Sequence, residues 1–116
     1  RHARHQKATQ EGIKAMGLNL FTKEGFGSPA ITAVRPENID AESIRKSIKN
    51  DFDILLAGGQ DHLKGKIFRV GHLGFVNDRD IISVISALES TLDKMGKLKA
   101  PIGKGISKTI SILNKE

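Results

Sequence analysis

Arg69 is the residue best placed for chemistry, because it stands where a charge is hardest to accommodate. It lies inside the apolar segment Ile67-Phe68-Arg69-Val70, after the glycine-rich run Ala57-Gly58-Gly59-Gln60-Asp61-His62-Leu63-Lys64-Gly65-Lys66 and before Gly71-His72-Leu73-Gly74. A guanidinium among such neighbours cannot be buried unpaired. Its planar fork suits a carboxylate held by two parallel hydrogen bonds. Two sources of that carboxylate are open: an aspartate of the same chain (Asp53, Asp61 or Asp80) or a bound ligand. His72 follows closely enough to line the same pocket.

Other motifs carry less. Gly59 and Gly65-Lys66 look like a phosphate-binding P-loop, but the gap between the glycines is one residue too long. Ile67 also stands where Ser or Thr would hold Mg²⁺. Gly71-x-x-Gly74 has the form of a KH-type RNA-binding loop, yet that loop joins two helices and here a strand precedes it. A strand-to-helix turn needing positive φ accounts for it better. His2, His5, His62 and His72 lack metal-like pairing and read as surface groups, His72 excepted. Asp51, Asp53, Asp61, Asp78 and Asp80 read as caps and turn residues. No nucleophile stands beside a base, and no cysteine is present, so thiolate chemistry, disulfides and Cys-ligated zinc are excluded.

The elements that must position Arg69 follow from periodicity. Residues 1–16 read as a helix ended by Gly17, 18–21 as a short apolar strand and 30–35 as a strand. Asp40 is the expected N-cap of a helix reaching residue 50, with Ile39 and Ile44 as a hydrophobic staple. Residues 53–57 read as a strand apolar on both faces, antiparallel to 67–70 across the loop 58–66. Asn77 or Asp78 should cap the last main helix, whose stripe is Ile81, Val84, Ile85, Leu88, Leu92 and Met95, with Gly96 as its stop. The expected domain is 1–96. The tail 97–116 carries a Pro–Gly break and a short helix with Ile106, Ile110 and Leu113 on one face.

This order predicts an α+β fold, a two-layer sandwich with a small, mainly antiparallel sheet and helices on one face. Strand alternation points Phe68 and Val70 toward the helices and turns Ile67 and Arg69 the other way. The second sheet face is therefore expected to be covered by a ligand pocket or a missing larger domain. The opening on an uncapped helix without Met gives the same expectation of a missing N-terminal part.

Composition narrows the partners. With no Trp or Tyr and five Phe among 116 residues, the core must be aliphatic. The net charge of +6 comes without interleaved aromatics, which reads as a solvated lysine-rich surface rather than a nucleic-acid interface. No apolar run is long enough to span a membrane, and the N-terminus has no signal-peptide character. The absence of cysteine fits a reducing compartment and a cytoplasmic location.

The stretch A-G-G-Q-D-H-L-K-G-K-I-F-R-V-G-H-L-G-F (57–75), with D-R-D-I-I-S-V-I-S-A-L-E (78–89), resembles the C-terminal small domain of class V aminotransferases. These are the fold type I, pyridoxal-phosphate-dependent enzymes of the serine–pyruvate and alanine–glyoxylate group. The likeness is greatest to the bacterial branch labelled the small subunit of a soluble hydrogenase. Arg1-His2, I-T-A-V-R-P-E-N-I-D (31–40) and K-A-P-I-G-K-G (99–105) support it, and it spans nearly the whole chain.

The resemblance implies a homodimeric transaminase. It would move an amino group between a small amino acid of the serine or alanine type and a 2-oxo acid of the pyruvate or glyoxylate type. Pyridoxal 5′-phosphate would be held as a Schiff base by a lysine of the large domain and act as electron sink. Arg69, at the R-V-G position, would grip the substrate α-carboxylate and orient it. The cofactor ligands would lie in the large domain, so this chain alone is expected to be inactive and to contain no catalytic residue. No Cys or metal constellation here supports a hydrogenase role. The alternative is a stand-alone small-molecule-binding or regulatory α+β module.

Overall fold

In the computed structural model, which describes residues 2–21, 31–71 and 77–115, the chain runs as alternating helices and short strands. Helix α1 (His2–Ala15) leads to strand β1 (Asn19–Leu20), then strand β2 (Ile31–Arg35) and helix α2 (Ala41–Phe52). Strand β3 (Ala57–Gly58), a 3₁₀ turn at Asp61–Leu63 and strand β4 (Phe68–Gly71) follow, and helices α3 (Asp78–Lys94) and α4 (Lys104–Lys115) complete the order. The four strands lie in the order β1-β2-β4-β3, every neighbouring pair antiparallel. This is the expected α+β sandwich. No described helix is long and apolar enough to cross a membrane.

Local chemistry sets the helix ends. Asp40 caps α2 by accepting from the Glu42 amide at 3.2 Å. Asn77 caps α3 in a reciprocal box: its side chain accepts from the Asp80 amide at 3.0 Å, and the Asp80 carboxylate accepts from the Asn77 amide at 2.9 Å. Gly17 (φ 95°) and Gly96 (φ 71°) take the left-handed conformation after α1 and α3, where a side chain would be strained.

The sheet register fixes the two faces. Val34 lies opposite Phe68 and Thr32 opposite Val70, while Ala33 and Ala57 both lie opposite Arg69. Directly opposed residues share a face. Val34, Phe68 and Val70 therefore join Ile13, Met16, Ile44, Ile48, Ile85, Leu88 and Leu92 in the aliphatic core. Arg69 faces away from it.

Two local expectations change. Residues 53–57 are not a two-faced strand. Asp53 ends α2 in the left-handed conformation (φ 56°), strand pairing starts only at Ala57, and Leu55 is 79% exposed. Asp tolerates that conformation better than most residues, so the turn displaces the strand. On α4 the buried side chains are Thr109, Ile112 and Leu113, whereas Ile110 is exposed. The cause is close helix packing. A Cβ on Gly105 would lie 2.9 Å from the Gly12 carbonyl oxygen, and one on Gly12 would overlap the Thr109 hydroxyl. Small residues, not an aliphatic stripe, thus set how α4 docks on α1, and Thr109 Oγ1 donates to the Ala8 carbonyl at 2.8 Å.

A buried carboxylate locks that docking. Glu89 of α3, 3% exposed, accepts from the amides of Gly103 (2.9 Å), Gly105 (3.0 Å) and Ile106 (3.0 Å). It satisfies amides at the start of α4 that the helix itself leaves unpaired, and its charge suits the helix N-terminus. Glu89→Ala would bury those amides without a partner. It is expected to lower stability by about 1–3 kcal/mol, read as a lower urea midpoint at an unchanged slope. An unchanged midpoint would show that the capping contributes nothing net.

Candidate functional site

The β3–β4 hairpin builds the surroundings of Arg69. The Gly59 amide donates to the Ile67 carbonyl at 3.2 Å, closing the hairpin. Beyond it the loop is braced by its own backbone: Leu63 N donates to Gln60 O at 2.9 Å, and Lys66 N to Leu63 O at 2.9 Å. The loop folds back over the outer sheet face and buries Ile67 completely. A Cβ on Gly59 would overlap the Leu63 carbonyl, so this packing requires glycine there. The cover expected from another domain is, for Ile67, supplied by this loop. Leu55 keeps its exposure.

Arg69 is half-buried on that face, and its Nε donates to the Gly58 carbonyl at 3.1 Å. It makes no ion pair among the described residues. Asp53 is engaged by Lys49 at 2.7 Å, and Asp80 is held in the cap of α3. Asp61 borders the same cleft as Arg69 without pairing to it. The intramolecular partners considered for Arg69 are therefore not used. The cleft measures about 190 Å³ and is walled by Gln60, Asp61, His62 and Leu63, with Ile67 and Arg69 on the strand side. As expected from the sequence, Asp61 and His62 lie at a turn and are exposed, and both also border the cleft. Only the fold of the loop brings them to the cleft, and their position after a double glycine was the sole signal. His72, expected as a pocket residue, lies outside the described residues. A cleft of this size, bordered by a guanidinium with no ion pair among the described residues, suits a small carboxylate.

The chain is similar to known proteins over nearly its whole length. The chain is 50% identical over 114 residues to the soluble hydrogenase small subunit of a Synechococcus species, covering 98% of this chain and 30% of that protein. It is 35% identical to the serine–glyoxylate aminotransferase of Arabidopsis thaliana, over 92% of this chain and 27% of that one. The crystal structure of ureidoglycine–glyoxylate aminotransferase from Bacillus subtilis superposes with a TM-score of 0.89 at 32% identity, over 97% of this chain and 30% of that chain. The chain matches the small C-terminal domain of class V aminotransferases. It spans about 30% of the length of the curated relatives it matches. No protein-family model matches the chain.

A second polar cluster in this aminotransferase small domain ties its first helix to its last two. Arg4 grips Asp78 with both ends of its fork, Nη1 to Oδ1 and Nη2 to Oδ2 at 2.7 Å each, and Nη2 also donates to the Leu113 carbonyl at 2.7 Å. His5, expected at the surface, is 2% exposed, and its Nε2 lies 2.9 Å from Asp78 Oδ1. The inward face of α1 carries it against the start of α3, where Asp78 meets its polar edge. Asp78 is correspondingly not the cap, a role Asn77 takes. These residues line an open depression of about 520 Å³, larger than the Arg69 cleft but with its central carboxylate already engaged. The Arg4 hydrogen bonds foremost, then that of His5, lower the Asp78 pKa from 3.8 to about 2.

A carboxyl whose folded pKa is depressed stabilises the fold above its unfolded value and loses that contribution as pH falls through the folded one. Stability of the chain is therefore expected to fall between about pH 4 and pH 2 through this cluster. Solvent screening limits the size, since the Asp78 side chain is 46% exposed. In Asp78→Asn that part of the acid limb should vanish, read from urea midpoints across this pH range. An acid limb unchanged in the variant would show that the contact is not coupled to folding.

Proposed function

We propose that the chain is the substrate-gripping domain of a pyridoxal-phosphate-dependent aminotransferase, with Arg69 holding the substrate α-carboxylate. The observation that carries this reading is the state of Arg69: half-buried, fixed through Nε, bordering a small cleft, and without a carboxylate partner among the described residues. A guanidinium anchored on one edge and open on the other is placed to receive a carboxylate. The similarity to several transaminases over their small domain supports the same class.

The described residues do not themselves fit the cofactor. Every described lysine is exposed, and none borders the Arg69 cleft, so no buried amine is offered to an aldehyde. In this reading the cofactor is held by the large domain of a longer protein, and this chain contributes binding and orientation. Gripping the carboxylate at two points fixes the rotation of the substrate about its Cα, which sets the bond presented to the rest of the site. The substrate pair we propose is a small amino acid of the serine or alanine type with a 2-oxo acid of the pyruvate or glyoxylate type, in keeping with the modest cleft. Exposed Leu55 and Phe52 support a surface covered by the large domain or by the second subunit of a homodimer. The absence of cysteine supports a cytoplasmic setting.

In the full-length protein, Arg69→Ala is expected to lower kcat/KM for alanine and pyruvate by about a hundredfold or more. Arg69→Lys should be only partly better, because an ammonium cannot reproduce the fork. The absorbance of bound cofactor should be retained in both. Undiminished kcat/KM in Arg69→Ala would falsify the assignment.

A further inference from the structure

We propose that Asp61 makes this cleft a charge filter, admitting one carboxylate and turning away substrates that carry a second. The inference rests on the carboxylate grip proposed for Arg69 and adds a specificity-determining residue to it.

The cleft contains two side chains of opposite charge that do not neutralise each other. Arg69 is on the strand side, anchored by its Nε to Gly58, and Asp61 is on the loop side. Asp61 does not sit on a swinging loop. It occupies the left-handed backbone region (φ 51°) at the start of the 3₁₀ turn. Its carbonyl accepts from Lys64 N at 3.2 Å, while Gln60 O accepts from Leu63 N at 2.9 Å across it. Backbone strain of this kind in a non-glycine residue persists where the surroundings enforce it. Here the packing of Gly59 under the Leu63 carbonyl does so.

Within about 190 Å³ an acid gripped by Arg69 has its remaining atoms near the loop wall. A methyl or hydroxymethyl group there meets Leu63, Gln60 and the rim. A second carboxylate meets Asp61, which is exposed at the rim, and two like charges at close range repel each other even beside solvent. The chemical class admitted is thus the small monocarboxylic amino or 2-oxo acid, and the class refused is the dicarboxylate.

The test compares substrates that differ by one carboxylate, alanine against aspartate and pyruvate against oxaloacetate, in the full-length, cofactor-loaded protein. Asp61→Asn removes the charge and keeps a residue that tolerates the same backbone conformation. The variant should raise the ratio of kcat/KM for the dicarboxylates over that for the monocarboxylates by about tenfold. In the unaltered protein the preference should also shrink as salt rises, because screening acts on charge and not on shape. An unchanged preference in Asp61→Asn, or equal losses on all four substrates, overturns the filter. Arg69→Gln measured alongside separates the two readings. If it disables every substrate while Asp61→Asn alters no preference, the grip stands and the filter falls. If Arg69→Gln changes nothing, the grip itself is wrong.

Discussion

The strand β4 is the constraint on which the rest depends. It is flanked by two other strands and carries core residues and the proposed site residue in adjacent positions. Burying Phe68 and Val70 against the helices leaves Arg69 no choice of face. A register slip of one residue would put the guanidinium into the aliphatic core and expose Phe68, at a cost no surface interaction could offset. The hydrophobic core thus does more than stabilise. It aims the arginine outward, and the aim is as secure as the burial of its neighbours.

The hairpin and the helical layer solve different halves of the positioning problem. The hairpin loop supplies a floor, by burying Ile67, and a wall, by turning at Asp61–Leu63. The helices hold the sheet that carries this hairpin, and polar ties add to the aliphatic core they share. Glu89 fastens the start of α4 to α3, and Arg4 fastens α1 to the start of α3 and to the last turn of α4. Both ties place a carboxylate at a helix N-terminus, where oriented amides favour negative charge. A buried carboxylate met by three backbone amides is directional in a way that an aliphatic contact is not, and it specifies the angle at which α4 docks.

What was legible in the sequence was what short-range chemistry decides. Asp40, Gly17 and Gly96 end or begin helices by contacts within a few residues, so residue type marks them, and it narrows the third cap to Asn77 or Asp78, between which the structure selects Asn77. The direction of Arg69 was legible because alternation in a strand is equally local. Asp53 misled because a left-handed aspartate and a strand residue look alike inside D-I-L-L-A. His5, Thr109 and Gly105 were opaque for another reason. Their roles come from helices far apart in the chain, and no periodicity within α1 or α4 announces that a histidine, a hydroxyl and a glycine form the contact face. The same holds for Asp61 and His62, which reach the cleft only because Gly59 permits a close fold-back.

The chain contains its own control for Arg69. Arg45 is anchored in the same manner, its Nε donating to the Leu56 carbonyl at 2.7 Å, but its fork is already met by Glu42 at 2.6 Å. Arg4 likewise has its fork engaged by Asp78. All three side chains are partly buried, and two are completed from within. Arg69 has the anchor without a carboxylate among the described residues. An anchored guanidinium has already lost much of its rotamer freedom, so a ligand that docks on its open edge forfeits less entropy than one that must order a free side chain. Arg45 and Arg4 show how this fold treats an arginine whose purpose is structural. The departure at Arg69, beside a cleft and on the face that alternation keeps out of the core, is the feature on which the proposed binding role rests.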